Sequence, residues 1–522
     1  MKKENQDEGL SNSILLLLTS VVIGFAVAGT IWFFLFVVHQ VQTLAHTTPL
    51  HELAVNHAQA DYRLLLALPI CGLLVGLLVY YLMPGRANKG LAHVVEADLN
   101  QASKLSLREG LGVGLASAVS IGAGASVGRY GPSVHIGAAL GSALSNLFPS
   151  LRKQRRILFA GGIAAAISAC FHAPFAGILF AHEVFLGRLS LRAFAPVTVA
   201  SVSASAAAYG LGVHIKGIPV AMDSPYHYWY EYFFFVALGV LGAFMAMLFM
   251  RILLWTVPTI QKLPIDTRLR PAIGGLILAI IGLQFPHVLG MGAEASTHAA
   301  VFQQFPLWLM LSLLFLKMAT TSLSLGFGFS GGVFGPVLFI GAMLGGAFAA
   351  FADQMTGLAL SPLALYALVG MGAVISPVIG APITTILMVF EITKDYPATT
   401  AVMLAVVVAQ VISRHLWGAS LFAKQLKGRG MDLMESQEMR DLRQQTVEQI
   451  MQVVPTIEQN IKNSSSVIEA KTTLDTLMDR INSPEQWPIM VEKQGKTVGI
   501  LDRETMLAHW MNVHQKTHNR DG

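Results

Sequence analysis

GRYGPSVHIGAALG, residues Gly128–Gly141, returns later in the chain as GVFGPVLFIGAMLG, residues Gly332–Gly345. In both copies a glycine-rich stretch runs into a Gly-Pro pair and then into the same Ile-Gly-Ala and Leu-Gly pattern. A second match follows at nearly the same offset. Gly162, Ile167-Ser168, Ala173-Pro174, Ile178-Leu179 and Glu183 recur as Gly370, Ile375-Ser376, Ala381-Pro382, Ile386-Leu387 and Glu391. Two collinear matches indicate a duplicated chain, with halves at about residues 12–215 and 228–425. The stretches Gly122–Pro132 and Gly326–Pro336 then hold corresponding places, each a Gly/Pro break in an apolar segment. In membrane proteins built from repeats, such paired breaks mark the binding site. Glycine lets backbone turn tightly and approach an ion, and proline fits the first turn of a helix. Each break therefore reads as a loop opening into a helix, whose unpaired N–H groups and positive dipole end suit an anion. Glycine-mediated helix packing is the plainer reading. It leaves unexplained why both halves keep the loop–Pro–helix order.

Outward from these loops the chain is apolar. Of its 522 residues 54% are hydrophobic and 12% charged, with a mean hydropathy of +0.58; a soluble chain carries roughly a quarter charged residues. Apolar runs at Ser13–Val38, Leu64–Met83, Trp229–Val257, Pro271–Phe285, Leu307–Leu325 and Ala398–Trp417 approach or exceed the roughly 20 residues that span a bilayer. The expectation is an all-α polytopic membrane protein over residues 12–425 with inverted-repeat halves and re-entrant helices, behind a polar stretch at 1–11. The net charge of +5 comes without a basic stripe interleaved with aromatics, so nucleic acid is not an expected partner. The clusters Arg152–Arg156 and Lys424–Arg429 read as cytoplasmic flanks of membrane helices. Cys71 and Cys170, both in apolar stretches, suit neither a disulfide framework nor zinc. No HExxH and no nucleophile with a base is visible, so an enzyme is not expected and neither is a cofactor or metal. His135, His172 and His182 form no ligand spacing and read as satisfied helix histidines.

Past Gly430 the hydrophobic density falls. A linker is expected at 426–445, with a charged amphipathic stretch at Met431–Arg443, and a small α/β module at 446–510. Its strands are expected at Trp487–Val491 and Thr497–Leu501, its helix at Arg503–Trp510, and a disordered tail at 511–522.

These motifs resemble those of the CLC family of chloride channels and proton-coupled chloride antiporters. Gly128–Gly141 is similar to that family's G(K/R)EGPxxxxG segment and Ser330–Gly345 to its GGxFxP segment. Lys317 and the pair Thr320-Thr321 stand at family-like distances upstream. The tail, from "TVEQIM" to "WPIMVEKQGKTVGILDRE", resembles one CBS module. The resemblance implies a homodimer with one chloride pathway per subunit, multi-pass in the bacterial inner (plasma) membrane, both termini cytoplasmic. It implies bound anions, chloride or similar, held by backbone N–H groups: Val333 and Phe334 at a central site, Arg129, Tyr130 and Gly131 at an external one.

Several side chains depart from the family pattern. Its gating glutamate aligns with Tyr130, a phenol with a reference pKa near 10 that stays neutral and donates a hydrogen bond. Its internal proton-transfer glutamate aligns with Val184, which carries no proton. Glu183, one residue earlier, has a repeat mate in Glu391, and both read as structural caps or buried hydrogen-bonding groups. The central-site serine aligns with Lys89, either a source of positive potential at the inner mouth or a surface lysine at a helix start. The coordinating tyrosine aligns with Phe422. In the tail, Gly499–Thr505 lacks the aspartate that ends the nucleotide-binding CBS pattern. The favoured reading is a passive chloride channel, with a proton-coupled antiporter as the alternative. A sensor whose functional part is the tail remains a further class.

Overall fold

The computed structural model describes residues 2–46, 62–83, 85, 89–100, 103–187, 190–213, 228–291, 305–431, 451, 467–472, 489–493, 496–506 and 508. The chain forms two compact units, Met1–Gln425 and Leu426–Gly522.

The first unit is helical. Its order is α1 (Lys2–Ala45), α2 (Leu64–Leu82), α3 (Leu91–Asn100), α4 (Leu107–Gly122), α5 (Tyr130–Leu147), a 3-10 segment (Pro149–Gln154), α6 (Arg155–Phe171) and α7 (Pro174–Phe180). A π-helical turn (Ala181–Leu186) leads to α8 (Leu191–Gly210), closing the first half. The second half has α9 (Glu231–Gln261), α10 (Arg270–Gln284), α11 (Leu307–Gly326), α12 (Phe334–Thr356), α13 (Leu363–Ile379), α14 (Pro382–Thr393) and α15 (Tyr396–Leu416). The short α16 (Leu421–Lys427) follows. Apart from α3, each helix of the first half has a counterpart in the second, in the same order.

The long apolar runs became α1, α2, α9, α10, α11 and α15. Among the described residues seven helices are long and apolar enough to cross a membrane. α10, with 15 residues, falls short of that length, as do α13 and α14. Bulky apolar side chains such as Phe25, Phe33, Leu66, Ile70, Trp255 and Phe315 point outward. On a soluble protein such a surface would be an aggregation hazard; on a multi-pass membrane protein it is the lipid-facing side.

Inside, helices meet where small residues let backbones touch. A Cβ on Gly162 of α6 would stand 2.0 Å from the carbonyl oxygen of Gly137 on α5. One on Gly370 of α13 would stand 2.2 Å from that of Gly341 on α12. These four glycines are repeat mates, so both halves pack their central helix pair in the same way.

In the second unit the described residues include a three-stranded sheet, β1 (Val467–Glu469), β2 (Ile489–Lys493) and β3 (Lys496–Leu501), in the order β1-β2-β3. β1 runs parallel to β2, and β2 antiparallel to β3. The two expected strands are present, with β2 starting later than read. Asp502 Oδ1 accepts the N–H of Thr505 and caps a helical turn beginning at Arg503. Residues 432–445, the tail at 511–522 and the segment 214–227 between the halves lie outside the described residues.

Candidate functional site

The two glycine-proline loops are held back to back. The N–H of Gly128 donates to the carbonyl of Gly332 at 2.6 Å, and the N–H of Gly332 donates back to Gly128 at 2.7 Å. The two residues are repeat mates, so the pair is symmetric about itself. The approach needs glycine: a Cβ on Gly332 would meet Gly131 N at 2.9 Å, and one on Gly128 would meet Gly335 N at 2.9 Å. Hydroxyls reinforce the pairing with the same symmetry. Ser126 N–H donates to Ser324 Oγ (3.1 Å) and Ser330 N–H to Ser120 Oγ (3.0 Å). Ser126 and Thr321 pair through their hydroxyls at 3.1 Å, as do Ser330 and Ser117 at 2.8 Å.

Lys317, fully buried on α11, donates to the carbonyls of Val288 (2.8 Å) and Gly290 (2.9 Å). Gly290 N–H in turn reaches the carbonyl of Gly124 at 2.8 Å. The ammonium thus ties the second half to the loop that leads into α5.

The starts of α5 and α12 converge at this junction. The first N–H groups of a helix have no intrahelical acceptor, and Arg129, Tyr130, Gly131, Val333 and Phe334 all stand there. The side chains between them are packed shut. The Tyr130 ring stacks on Phe171 (centroids 4.0 Å apart, planes at 13°) and meets Phe334 edge-on at 5.0 Å. The three rings are 5%, 5% and 7% exposed, so no open channel passes between them in this conformation. The Arg129 guanidinium lies 5.3 Å from the centre of the Tyr130 ring. Phe171 closes the stack from the end of α6, and its sequence context gave no sign of that.

The second pair of half-helix starts, α7 and α14, is already occupied. Glu391 accepts the N–H groups of Phe175 (2.9 Å) and Ala176 (2.8 Å). Glu183 accepts those of Ile383 (3.2 Å) and Thr384 (2.9 Å), together with the Thr384 hydroxyl (2.7 Å). Each half supplies the carboxylate that caps the other half's helix, so both glutamates are structural, as their pairing in the repeat suggested. Hydrogen bonds to a charged group are worth about 1.5–3 kcal/mol, and losing the acceptor leaves its donors unpaired. Glu183→Ala and Glu391→Ala are each expected to destabilise the protein by about 2–3 kcal/mol, with Gln variants milder. Thermal unfolding in detergent checks this, and Ala variants as stable as the parent would refute the capping role.

The remaining expected positions are scattered. Val184 lies half-buried in the π-helical turn next to Glu183. Phe422 is buried on α16, and Ser420 two residues earlier packs against Gly380 at the turn between α13 and α14. Lys89 stands two residues before the start of α3, and its ammonium pairs with Glu109 at 2.9 Å, which offsets its charge locally. His172, in the left-handed conformation at the end of α6, bonds the carbonyl of Val213, and His182 Nδ1 bonds that of Ile178 at 2.9 Å. His135 differs from both, since neither of its ring nitrogens has a hydrogen-bond partner among the described residues. Glu109 was missed as a site residue. Its signal was a carboxylate three residues after Ser106 at the head of an apolar helix, and Ser106 Oγ does cap its N–H.

Comparison with known proteins agrees with this geometry. The family described as Voltage gated chloride channel matches residues 71–414. A putative chloride channel protein ClcB-like from Ralstonia nicotianae is 31% identical, over 68% of this chain and 83% of its own. An H(+)/Cl(-) exchange transporter ClcA from Vibrio parahaemolyticus is 29% identical, over 61% of this chain and 71% of its own. Among solved structures, a slow cyanobacterial Cl-/H+ antiporter superposes with a TM-score of 0.69 at 22% identity, covering 79% of this chain and 97% of its own. With the matched region spanning both loops and both halves, the chain belongs to the voltage-gated chloride channel (CLC) family, a family of channels and transporters.

Proposed function

We propose that the protein is a passive channel for chloride or a similar small anion, and that Tyr130 is its gate. In this reading the anion is held by backbone N–H groups at Val333–Phe334 and at Arg129–Gly131. The chain works as a homodimer, one pathway per subunit, in a bacterial inner membrane with both termini cytoplasmic. The observation that carries it is the Tyr130–Phe171–Phe334 stack at the meeting point of two helix starts. A carboxylate there would be a charged plug that leaves when protonated. A phenol is neutral at ordinary pH and obstructs only by bulk. Val184 likewise offers no acceptor for a proton on its way through. The reciprocal carboxylate caps support the choice of helix ends, because α7 and α14 are already met by carboxylates from the opposite halves.

Proton-coupled exchange is the competing reading, favoured by the likeness to a solved antiporter. The two separate in liposomes holding purified protein, with chloride and proton followed together. A chloride gradient is expected to drive anion flux and no uphill proton movement. Reproducible uphill proton movement, abolished when the chloride gradient is removed, would overturn the channel.

A further inference from the structure

Near the junction, three titratable side chains, from just before α3, from α3 and from α5, meet at one carboxylate on α4. Glu109 Oε1 receives Lys89 Nζ at 2.9 Å and bonds His93 Nε2 at 2.7 Å. His135 Nε2 stands 3.5 Å from the same oxygen, an ion-pair distance without the alignment of a hydrogen bond. The two imidazoles lie nearly parallel, centroids 5.8 Å apart and planes at 19°. His93 Nδ1 faces Glu96 at 3.6 Å on the outer edge. His135 is fully buried.

Lys89, His93 and Glu109 are the titratable groups acting on His135, and no set of three His, Cys, Asp or Glu among the described residues is arranged to hold a metal. Of the other charged groups on helices packed against α5, Arg156 is engaged by Asp98 (3.0 Å), and Arg155 by Ser145 and Asn146 at the far end of α5.

With both imidazoles neutral, the Lys89 charge offsets that of Glu109, while Glu96 stands at the outer edge. His135 is then a fully buried ring that faces Glu109 at 3.5 Å without the alignment of a good hydrogen bond, an unfavourable state. Protonation gives it a second N–H and draws it to a carboxylate already within 3.5 Å. Imidazole is the side chain that makes this change between pH 5 and 8. His135 follows Tyr130 by five residues on α5, about 7.5 Å along the axis. At an effective dielectric of about 20, one positive charge roughly 10 Å away favours an anion by about tenfold.

We propose that Glu109, His93 and His135 form a proton-binding site that charges α5 near the junction, so that acidification strengthens anion binding and conduction. The inference rests on reading the junction as an anion site. The bound proton stays in the cluster and is not carried across the membrane.

The test uses the full chain. Chloride affinity is measured by calorimetry in detergent, and chloride flux in liposomes, at pH 5.5, 6.5 and 7.5. Both are expected to rise about tenfold from the highest pH to the lowest. His135→Phe keeps a ring of similar size and removes no hydrogen bond, so a merely packing role would leave the pH profile intact. It is expected to flatten the profile, and His93→Gln to blunt it. A parent whose affinity does not change with pH overturns the proposal. So do two variants that both keep the parent's profile, or proton transport that His135→Phe abolishes. If affinity follows pH in this way but no chloride flux occurs, the channel reading fails and the proton site stands. Flux with a flat pH response has the opposite meaning.

Discussion

Tyr130→Ala is expected to raise chloride flux by tenfold or more without making it proton-driven. In the proposed gate, the Tyr130 ring has to leave its stack on Phe171 and its edge contact with Phe334 before an anion passes. Aromatic pairs of this kind are worth about 0.5–1.5 kcal/mol each beyond their buried area. Two such contacts set a barrier of about 1–3 kcal/mol, and each 1.4 kcal/mol removed is about tenfold in rate. Tyr130→Phe keeps both contacts and loses only the hydroxyl, so flux should change little while anion affinity falls if that hydroxyl serves the anion. Tyr130→Glu places a carboxylate at two positive helix ends beside Arg129. Its flux should be low at neutral pH and grow toward the carboxylate range near pH 4, well below any change set by imidazoles. Single-subunit flux for the three variants across this range is the measurement. A Tyr130→Ala protein that conducts like its parent, with unchanged halide affinity in Tyr130→Phe, would remove Tyr130 from the pathway.

The second large effect is on folding. Gly332→Val is expected to abolish assembly of a functional protein, and Gly162→Val to do the same by a separate route. At Gly332 even a Cβ would stand 2.9 Å from Gly131 N, where it can be relieved only by moving backbone. Separating the loops would break both hydrogen bonds between Gly128 and Gly332. At Gly162 the obstacle is the carbonyl of Gly137 at 2.0 Å, so α5 and α6 would be pushed apart along with everything packed on them. Gly187, by contrast, has open space around its Cβ position but a left-handed φ of 69°, so Gly187→Asn should be tolerated. Yield of monodisperse protein and thermal midpoint in detergent separate these outcomes. Gly332→Val protein that folds and conducts normally would mean that the loop contact does not hold the junction.

What could be read from the sequence followed from how directly residue type reports backbone demand. Glycine before proline, twice, at matched places, marks a loop entering a helix. The structure joins those two loops, because only residues without side chains permit Gly128 and Gly332 to touch. Apolar runs reported the long helices for the same local reason. The pairing of Glu183 with Glu391 in the repeat pointed to a shared role, although which N–H groups they cap depends on helices meeting in space. Phe171 behind Tyr130 was not legible: one phenylalanine among many in an apolar chain carries no mark of its partner. The ion partner of Lys89 was not legible for a related reason, since Glu109 lies on a helix elsewhere in the sequence. His135 resembled His172 and His182 in sequence, and only the missing hydrogen-bond partners of both its ring nitrogens among the described residues set it apart.

The loop and cap hydrogen bonds that cross between the halves at the junction come in mated sets. Gly128 meets its own mate, Ser126–Ser324 is answered by Ser330–Ser120, and Glu183 capping α14 is answered by Glu391 capping α7. That is the pattern of an isologous contact, the kind two identical subunits make across a two-fold axis. A single half standing alone would have loop donors and helix ends with nothing to satisfy them in the membrane. Each half therefore completes the other's backbone, and the halves are free to differ only at positions outside these mated bonds. Tyr130 opposite Phe334 and Gly380 opposite His172 are such positions.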